Sequence, residues 1–234
     1  MKSRQLLAIM GLPEPDKWPL FLPLSSQDIM IKQLTARMQQ HQPRALFSRG
    51  VDTELPEAGV LIPLRERGGI LEMVLTLRSS QLSTHSGEVA FPGGKWEAGD
   101  KDLWHTALRE SHEEIGLEPS SVVHLGELGP LVSRFGIKVT PFVGMIPPDA
   151  ELYPNPDELE SIFSVPLAFF LQDNRLRTDP IRFQQKTYHV PAYEYEGYQI
   201  WGLTAVMLVE LLNVAFDANI PLDVPQLSAD NLTR

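Results

Sequence analysis

Glu110, Glu113 and Glu114 stand at i, i+3 and i+4 in a stretch, 102–115, whose apolar residues recur at helical spacing and whose end is marked by Gly116. At about 100° per residue the three carboxylates fall within an arc of roughly 100°, and Leu103, Trp104, Ala107, Leu108 and Ile115 take the neighbouring arc. The predicted helix buries one side and gathers negative charge on the next. Like charges at these spacings cost a helix about 0.2–0.5 kcal/mol per pair, so the cluster calls for a reason. A hard divalent cation supplies one, since it takes carboxylate oxygens and keeps room for phosphate oxygens. A solvated acidic face, with Arg109 paired to Glu113 one turn on, is the other.

Just upstream, Phe91-Pro92-Gly93-Gly94-Lys95 presents a backbone without side chains to whatever the glutamates hold, and Pro92 fixes the path into it. The elements around this core alternate. Segments 58–64 and 70–77 are apolar and read as a hairpin turned by Gly68-Gly69. Segment 79–99 is loop-like, with a short strand at 89–91. Strands are expected at 122–131 and 137–146, a mostly helical segment at 157–171 despite Pro166, a strand pair at 181–190 and 192–201, and an apolar helix at 203–216. Ahead of them, Pro13, Pro15, Pro19 and Pro23 make 1–24 an irregular arm, and a helix opens near Ser26 and runs to about Gln40. Strands and helices in this order predict an α/β sandwich with a mixed sheet.

A chain of 234 residues suits one domain with appended segments: an arm and helix at 1–50, the main domain at 51–217 and a tail at 218–234. A net charge of −10 disfavours nucleic acid as a partner, because neutralising phosphates needs a basic face. No apolar run approaches the roughly 18–20 residues of a membrane span, so no membrane partner is expected. With no cysteine, thiolate chemistry is excluded and a metal must take oxygen or histidine; a soluble, cytoplasmic protein is expected. His105, His112 and His124 lack metal spacing with one another and read as surface residues.

From Gly94 to Leu117 the chain resembles the Nudix box: a glycine, an acidic residue, Arg109-Glu110, two residues, Glu113-Glu114, one residue, then Gly116 and an aliphatic residue. Two departures stand in it. Asp100 takes the place of a glutamate, with one extra residue before Arg109, and Ser111 takes a position that is usually aliphatic. The resemblance implies a Nudix-type α/β/α sandwich and hydrolysis of a pyrophosphate bond with Mg2+ or Mn2+. It makes Glu110, Glu113, Glu114 and the Gly94 carbonyl metal ligands, and Arg109 the residue that orients the carboxylates. Glu113, Glu114 or a carboxylate outside the box is the implied base, and Glu158 best matches the family's distal glutamate, ahead of its neighbour Glu160.

A second run, Val74-Leu-Thr-Leu-Arg78-Ser79 through Gly87 to Phe91-Pro-Gly-Gly94, with Trp201-Gly-Leu-Thr-Ala205 near the last helix, resembles the coenzyme A pyrophosphatase branch. Ser83 stands where that branch carries a second arginine, a residue suited to bidentate phosphate recognition. The resemblance implies a coenzyme A-like nucleotide derivative as substrate, met by Arg78, His85, Gly87, Gly93 and Lys95. ADP-ribose or dinucleotide hydrolysis, and a non-catalytic nucleotide sensor, are the competing readings. Oligomeric state is not encoded in any of these features.

Overall fold

The computed structural model describes residues 26–45, 55–81, 87–183 and 186–222. The arm at 1–24, most of the tail and the loop positions Ser83 and His85 lie outside the described residues.

Helix α1 (Ser26–Gln40) opens and closes where the sequence places it. Strands β1 (Glu57–Arg67) and β2 (Ile70–Arg78) form the expected hairpin, with Arg67 opposite Ile70. Gly68 and Gly69, at φ 59° and 79°, close it in a two-residue turn that other residues adopt only with strain. Short strands β3 (Val89–Ala90) and β4 (Gly93–Lys95) follow, then helix α2 (Leu103–Ile115). Next come β5 (Val123–Glu127), β6 (Leu131–Val132) and β7 (Lys138–Met145).

These strands build a sheet ordered β3-β2-β1-β7-β5, in which β1 runs parallel to β7 and antiparallel to β2, and β4 pairs with β1. Alternate residues of β1 enter different cores, as the pleat requires. Leu61 packs with Ala107 and Ile115 of α2, whereas Ile62 packs with α1 and with α4 (Gly202–Phe216) on the opposite face. The architecture is the expected α/β/α sandwich with a mixed sheet. Gly59 makes the first layer possible: a Cβ there would lie 2.1 Å from the carbonyl oxygen of Leu103. Among the described residues no helix is long and apolar enough to cross a membrane.

Two expectations are corrected. Segment 157–171 is not mainly helical: β8 (Leu159–Pro166) pairs antiparallel with β2, and only α3 (Leu167–Leu171) is helix. The β2 edge offers ladder partners that outweigh a weak local preference, and Pro166 falls at the strand's end. The later strand pair is also displaced. The chain forms β9 (Arg175–Phe183), β10 (Lys186–Tyr195) and β11 (Tyr198–Ile200), a separate three-stranded antiparallel sheet. The reversal between β9 and β10 therefore falls inside the 181–190 segment. A second reversal, at Glu196 and Gly197 with φ 51° and 87°, falls inside 192–201.

Candidate active site

Helix α2 is fixed at both ends. The Asp102 side chain accepts the His105 N–H at 2.9 Å, and Gly116, at φ 68°, returns its N–H to the His112 carbonyl. Beyond Gly116 the helix end is bound by a distant loop: Tyr153 N–H donates to the Ile115 carbonyl at 3.0 Å and Asn155 N–H to the Glu114 carbonyl at 2.8 Å. The Asn155 carbonyl then accepts the Glu158 N–H at 3.0 Å. The glutamate helix and Glu158 are thus set by one loop.

Arg109 is the hub of the carboxylates. Its Nη1 donates to Glu110 at 2.9 Å and to Glu113 at 3.1 Å, while Nη2 donates to the Lys95 carbonyl at 3.1 Å. Nε and Nη2 also grip both oxygens of Asp100, which accepts Thr106 Oγ1 and the Glu97 N–H as well. The Arg109 bonds hold the Asp100 carboxyl far down, at about 2, and the same pair raises Arg109. The extra residue lies between Asp100 and Arg109, where loop becomes helix α2, and Asp100 N–H meets the Glu97 carbonyl in the turn just before it. Ser111, the other departure, is fully buried and donates to the Ala107 carbonyl at 2.6 Å.

The glutamate cluster is not a solvated acidic face. Glu114 is 2% exposed; one oxygen accepts the Gly93 N–H at 3.1 Å and the other accepts Arg78 Nη1 at 3.2 Å. Burial pushes its carboxyl up to about 7, the Gly93 and Arg78 contacts pull it down, and the charges of Glu158 and Glu110 add to the rise. Glu110 is raised too, chiefly by burial, with Arg109 opposing and Glu113 and Glu158 reinforcing. Glu158, half-buried, therefore shares an electrostatic neighbourhood with both, whereas Glu160 is exposed on β8. Glu113 is the most open of the box glutamates, at 52% side-chain exposure.

The glycines are close-approach positions. A Cβ on Gly94 would sit 2.3 Å from the carboxyl carbon of Glu110, and one on Gly93, at φ 155°, would strike the Gly59 carbonyl oxygen at 2.5 Å. The structure thus brings together Gly93, Gly94, Arg109, Glu110, Glu113, Glu114, Glu158 and Arg78 of the predicted residues. Lys95 offers its carbonyl inward and is itself exposed, and Gly87, exposed, donates to the Arg78 carbonyl at 3.2 Å. His105, His112 and His124 are exposed, as expected. Sequence reasoning assigned no role to Asp100 or Asn155. Asp100 was legible as the box's acidic position, but nothing in the spacing marks Asn155 as the anchor of the Glu114 carbonyl.

These residues suit a hard divalent cation. The donor set is all oxygen, and Glu114 carries a buried charge that one long arginine contact and one amide only partly offset. Among the described residues no three acidic or histidine side chains stand in ready ligating spacing. Arg109 draws Glu110 and Glu113 to itself, and Arg78 engages Glu114. The expected ligands are therefore adjacent but turned toward arginines.

Fold and box together define a Nudix-type sandwich with a carboxylate helix under a glycine-lined strand. The Nudix domain family matches residues 54–183. Nudix hydrolase NudL of Enterobacter sp. (strain 638), a protein called uncharacterized, is 37% identical over 80% of this chain and 96% of its own length. Nudix hydrolase 15, mitochondrial, of Arabidopsis thaliana is 42% identical over 74% of this chain, which spans 64% of that protein. A MutT/nudix family protein from Enterococcus faecalis superposes with a TM-score of 0.46 over 84% of this chain and 76% of that one, at 15% identity. The chain belongs to the Nudix hydrolase family, enzymes that act as pyrophosphohydrolases.

Proposed function

We propose that this protein hydrolyses the pyrophosphate bond of coenzyme A or an acyl-coenzyme A, giving a phosphopantetheine product and an adenosine bisphosphate. The observation that carries the reading is that Arg78 of the second signature reaches Glu114 inside the Nudix box at 3.2 Å. Residues of the two motifs, 36 positions apart in sequence, thus meet at one point. We take residues 51–217 as the working unit, because Thr204 of the Trp201–Ala205 motif donates to the Val89 carbonyl at 3.0 Å and so ties α4 to the strand beside Arg78.

Glu110, Glu113, Glu114 and the Gly94 carbonyl would hold Mg2+ or Mn2+, which would supply charge neutralisation at the diphosphate and acidify a water. The chain's residues do the rest. Arg109, anchored on Asp100, holds Glu110 and Glu113 side by side on the helix face. The bare backbone of Gly94 lets the Glu110 carboxyl lie directly against strand β4. Glu158, whose charge reaches Glu110 and Glu114, takes the proton of the attacking water as its oxygen bonds one phosphorus and the bridging oxygen departs with the other.

The test offers coenzyme A, ADP-ribose and dinucleotides to the protein with Mg2+ or Mn2+ and identifies products by mass. Cleavage of coenzyme A to the two named products is expected. Ready turnover of ADP-ribose with coenzyme A untouched overturns the substrate and leaves the broader hydrolase.

A further inference from the structure

Glu114 has both oxygens engaged, Oε2 by the Gly93 amide and Oε1 by Arg78 Nη1. The two bonds differ in kind. The Gly93 amide is backbone, fixed by β4 and its pairing with β1. Arg78 sits at the last position of β2 with a side chain 23% exposed, and its contact of 3.2 Å is long against the roughly 2.7–2.9 Å of a charge-assisted bond. Its Nε is buried with no hydrogen-bond partner among the described residues. The guanidinium is therefore held by one stretched bond, with a donor unused in a family of residues that favours two-pronged recognition of phosphate.

A dication at Glu114 and a guanidinium on the same oxygen repel each other, so the two compete for Oε1. The arginine's backbone, by contrast, is held on both sides. Its carbonyl accepts the Gly87 N–H at 3.2 Å, and the next residue, Ser79, donates to the Glu158 carbonyl at 2.8 Å, so its backbone is fixed between the second signature's loop and the distal glutamate. Only the side chain is free to move.

We propose that Arg78 is an exchange residue: it neutralises Glu114 while no cation is bound, and is released by the cation to grip the diphosphate of the substrate. The proposal rests on the reading of the box glutamates as metal ligands. Cation and substrate are then coupled through one side chain, and the coupling is reciprocal. Removing Arg78 helps the cation and harms the diphosphate, whereas a residue that merely binds phosphate affects only the second.

The experiment titrates Mn2+ into the full chain, following the signal of free Mn2+ by electron paramagnetic resonance, and then titrates methylenediphosphonate, an uncleavable diphosphate, at saturating Mn2+. Wild type, Arg78→Met, Lys95→Met and Glu114→Gln are compared, with Arg78→Gln replacing the methionine variant if that fails to fold. Arg78→Met binds Mn2+ about fivefold tighter than wild type and the diphosphonate about tenfold more weakly. Lys95→Met, which removes the same charge from the exposed neighbour of Gly94, gains distinctly less for Mn2+. Equal or weaker Mn2+ binding by Arg78→Met, an equal gain in Lys95→Met, or unchanged diphosphonate affinity overturns the exchange. Wild type that takes up no Mn2+, or Glu114→Gln that takes it up as tightly, overturns instead the metal reading beneath it.

Discussion

Arg109 grips Asp100 through two parallel hydrogen bonds, Nε to Oδ1 at 2.9 Å and Nη2 to Oδ2 at 3.0 Å, and this pair anchors the guanidinium that holds Glu110 and Glu113. The Asp100 side chain is 5% exposed, so the charges meet away from most solvent screening. With a folded pKa of about 2 against an unfolded value near ~3.9, the carboxylate stabilises the fold above about pH 4, and the contribution is lost as pH falls through about 2. Asp100→Asn lacks it. Urea unfolding at pH 6 is expected to find the variant about 2 kcal/mol less stable, with the gap narrowing between about pH 4 and pH 2. A gap of constant size through that window counts against the pairing as its cause.

Glu158 and Glu160 flank Leu159 but differ in setting: Glu158 is half-buried and raises the carboxyls of Glu110 and Glu114, and Glu160 is exposed. Replacing the first is expected to lower kcat about a hundredfold, the scale of a lost general base, and replacing the second to leave it nearly unchanged. Glu114→Gln is expected to fall at least as far while folding normally, because it removes a buried charge that is only partly offset. Steady-state assays of Glu158→Gln, Glu160→Gln and Glu114→Gln at saturating Mg2+ decide it. Equal kcat for Glu158→Gln and wild type returns the base role to the box.

The carboxylate helix was legible because its signals are local: helical spacing and a terminal glycine lie within fifteen or so residues of one another. The β1–β2 hairpin was legible for the same reason, through Gly68-Gly69. Strand β8 was not, since residues 159–166 are held by pairing to β2, roughly eighty to ninety-five positions earlier, and nothing local announces such a partner. Strand β9 hid behind its charges: Arg177 and Asp179, two apart on one face, pair at 2.9 Å and make a strand look like a loop. At the site, the sequence indicates which carboxylates gather but not which arginine each one faces. That Glu114 is buried and Glu113 open follows from how α2 rolls onto β1 over Gly59, a contact absent from any helical wheel.

Gly94 and Gly59 give opposite outcomes for the same change. A methyl at Gly94 collides with the Glu110 carboxyl at 2.3 Å, the end of a side chain that can turn away, so Gly94→Ala is expected to keep its stability to within about 1 kcal/mol and lose most activity. At Gly59 the methyl meets the Leu103 carbonyl at 2.1 Å, which is backbone and cannot yield without lifting α2 from the sheet. Gly59→Ala is expected to lose about 3 kcal/mol or more. Thermal unfolding of both variants, beside their turnover, separates the cases. A Gly59→Ala protein as stable as wild type means that the helix does not rest on β1 as described.

Glu210 tests the electrostatics far from catalysis. It lies on α4, across the sheet from α2, 6% exposed, with Oε1 accepting the Gly129 N–H at 2.8 Å and Oε2 without a hydrogen-bond partner among the described residues. Burial raises its carboxyl to about 7, opposed by the Gly129 contact. An acid raised above its unfolded value of ~4.3 favours the fold while it is protonated, and that stability is lost as pH climbs from about 4 through 7. Glu210→Gln keeps an oxygen for Gly129 and cannot ionise. At pH 8 the variant is expected to be more stable than wild type by on the order of 2 kcal/mol, with little difference near pH 4 and unchanged turnover. Unfolding curves across that range settle the matter: a variant that is less stable at pH 8 shows that the carboxylate is stabilised in the fold and that the assigned direction of the shift is wrong.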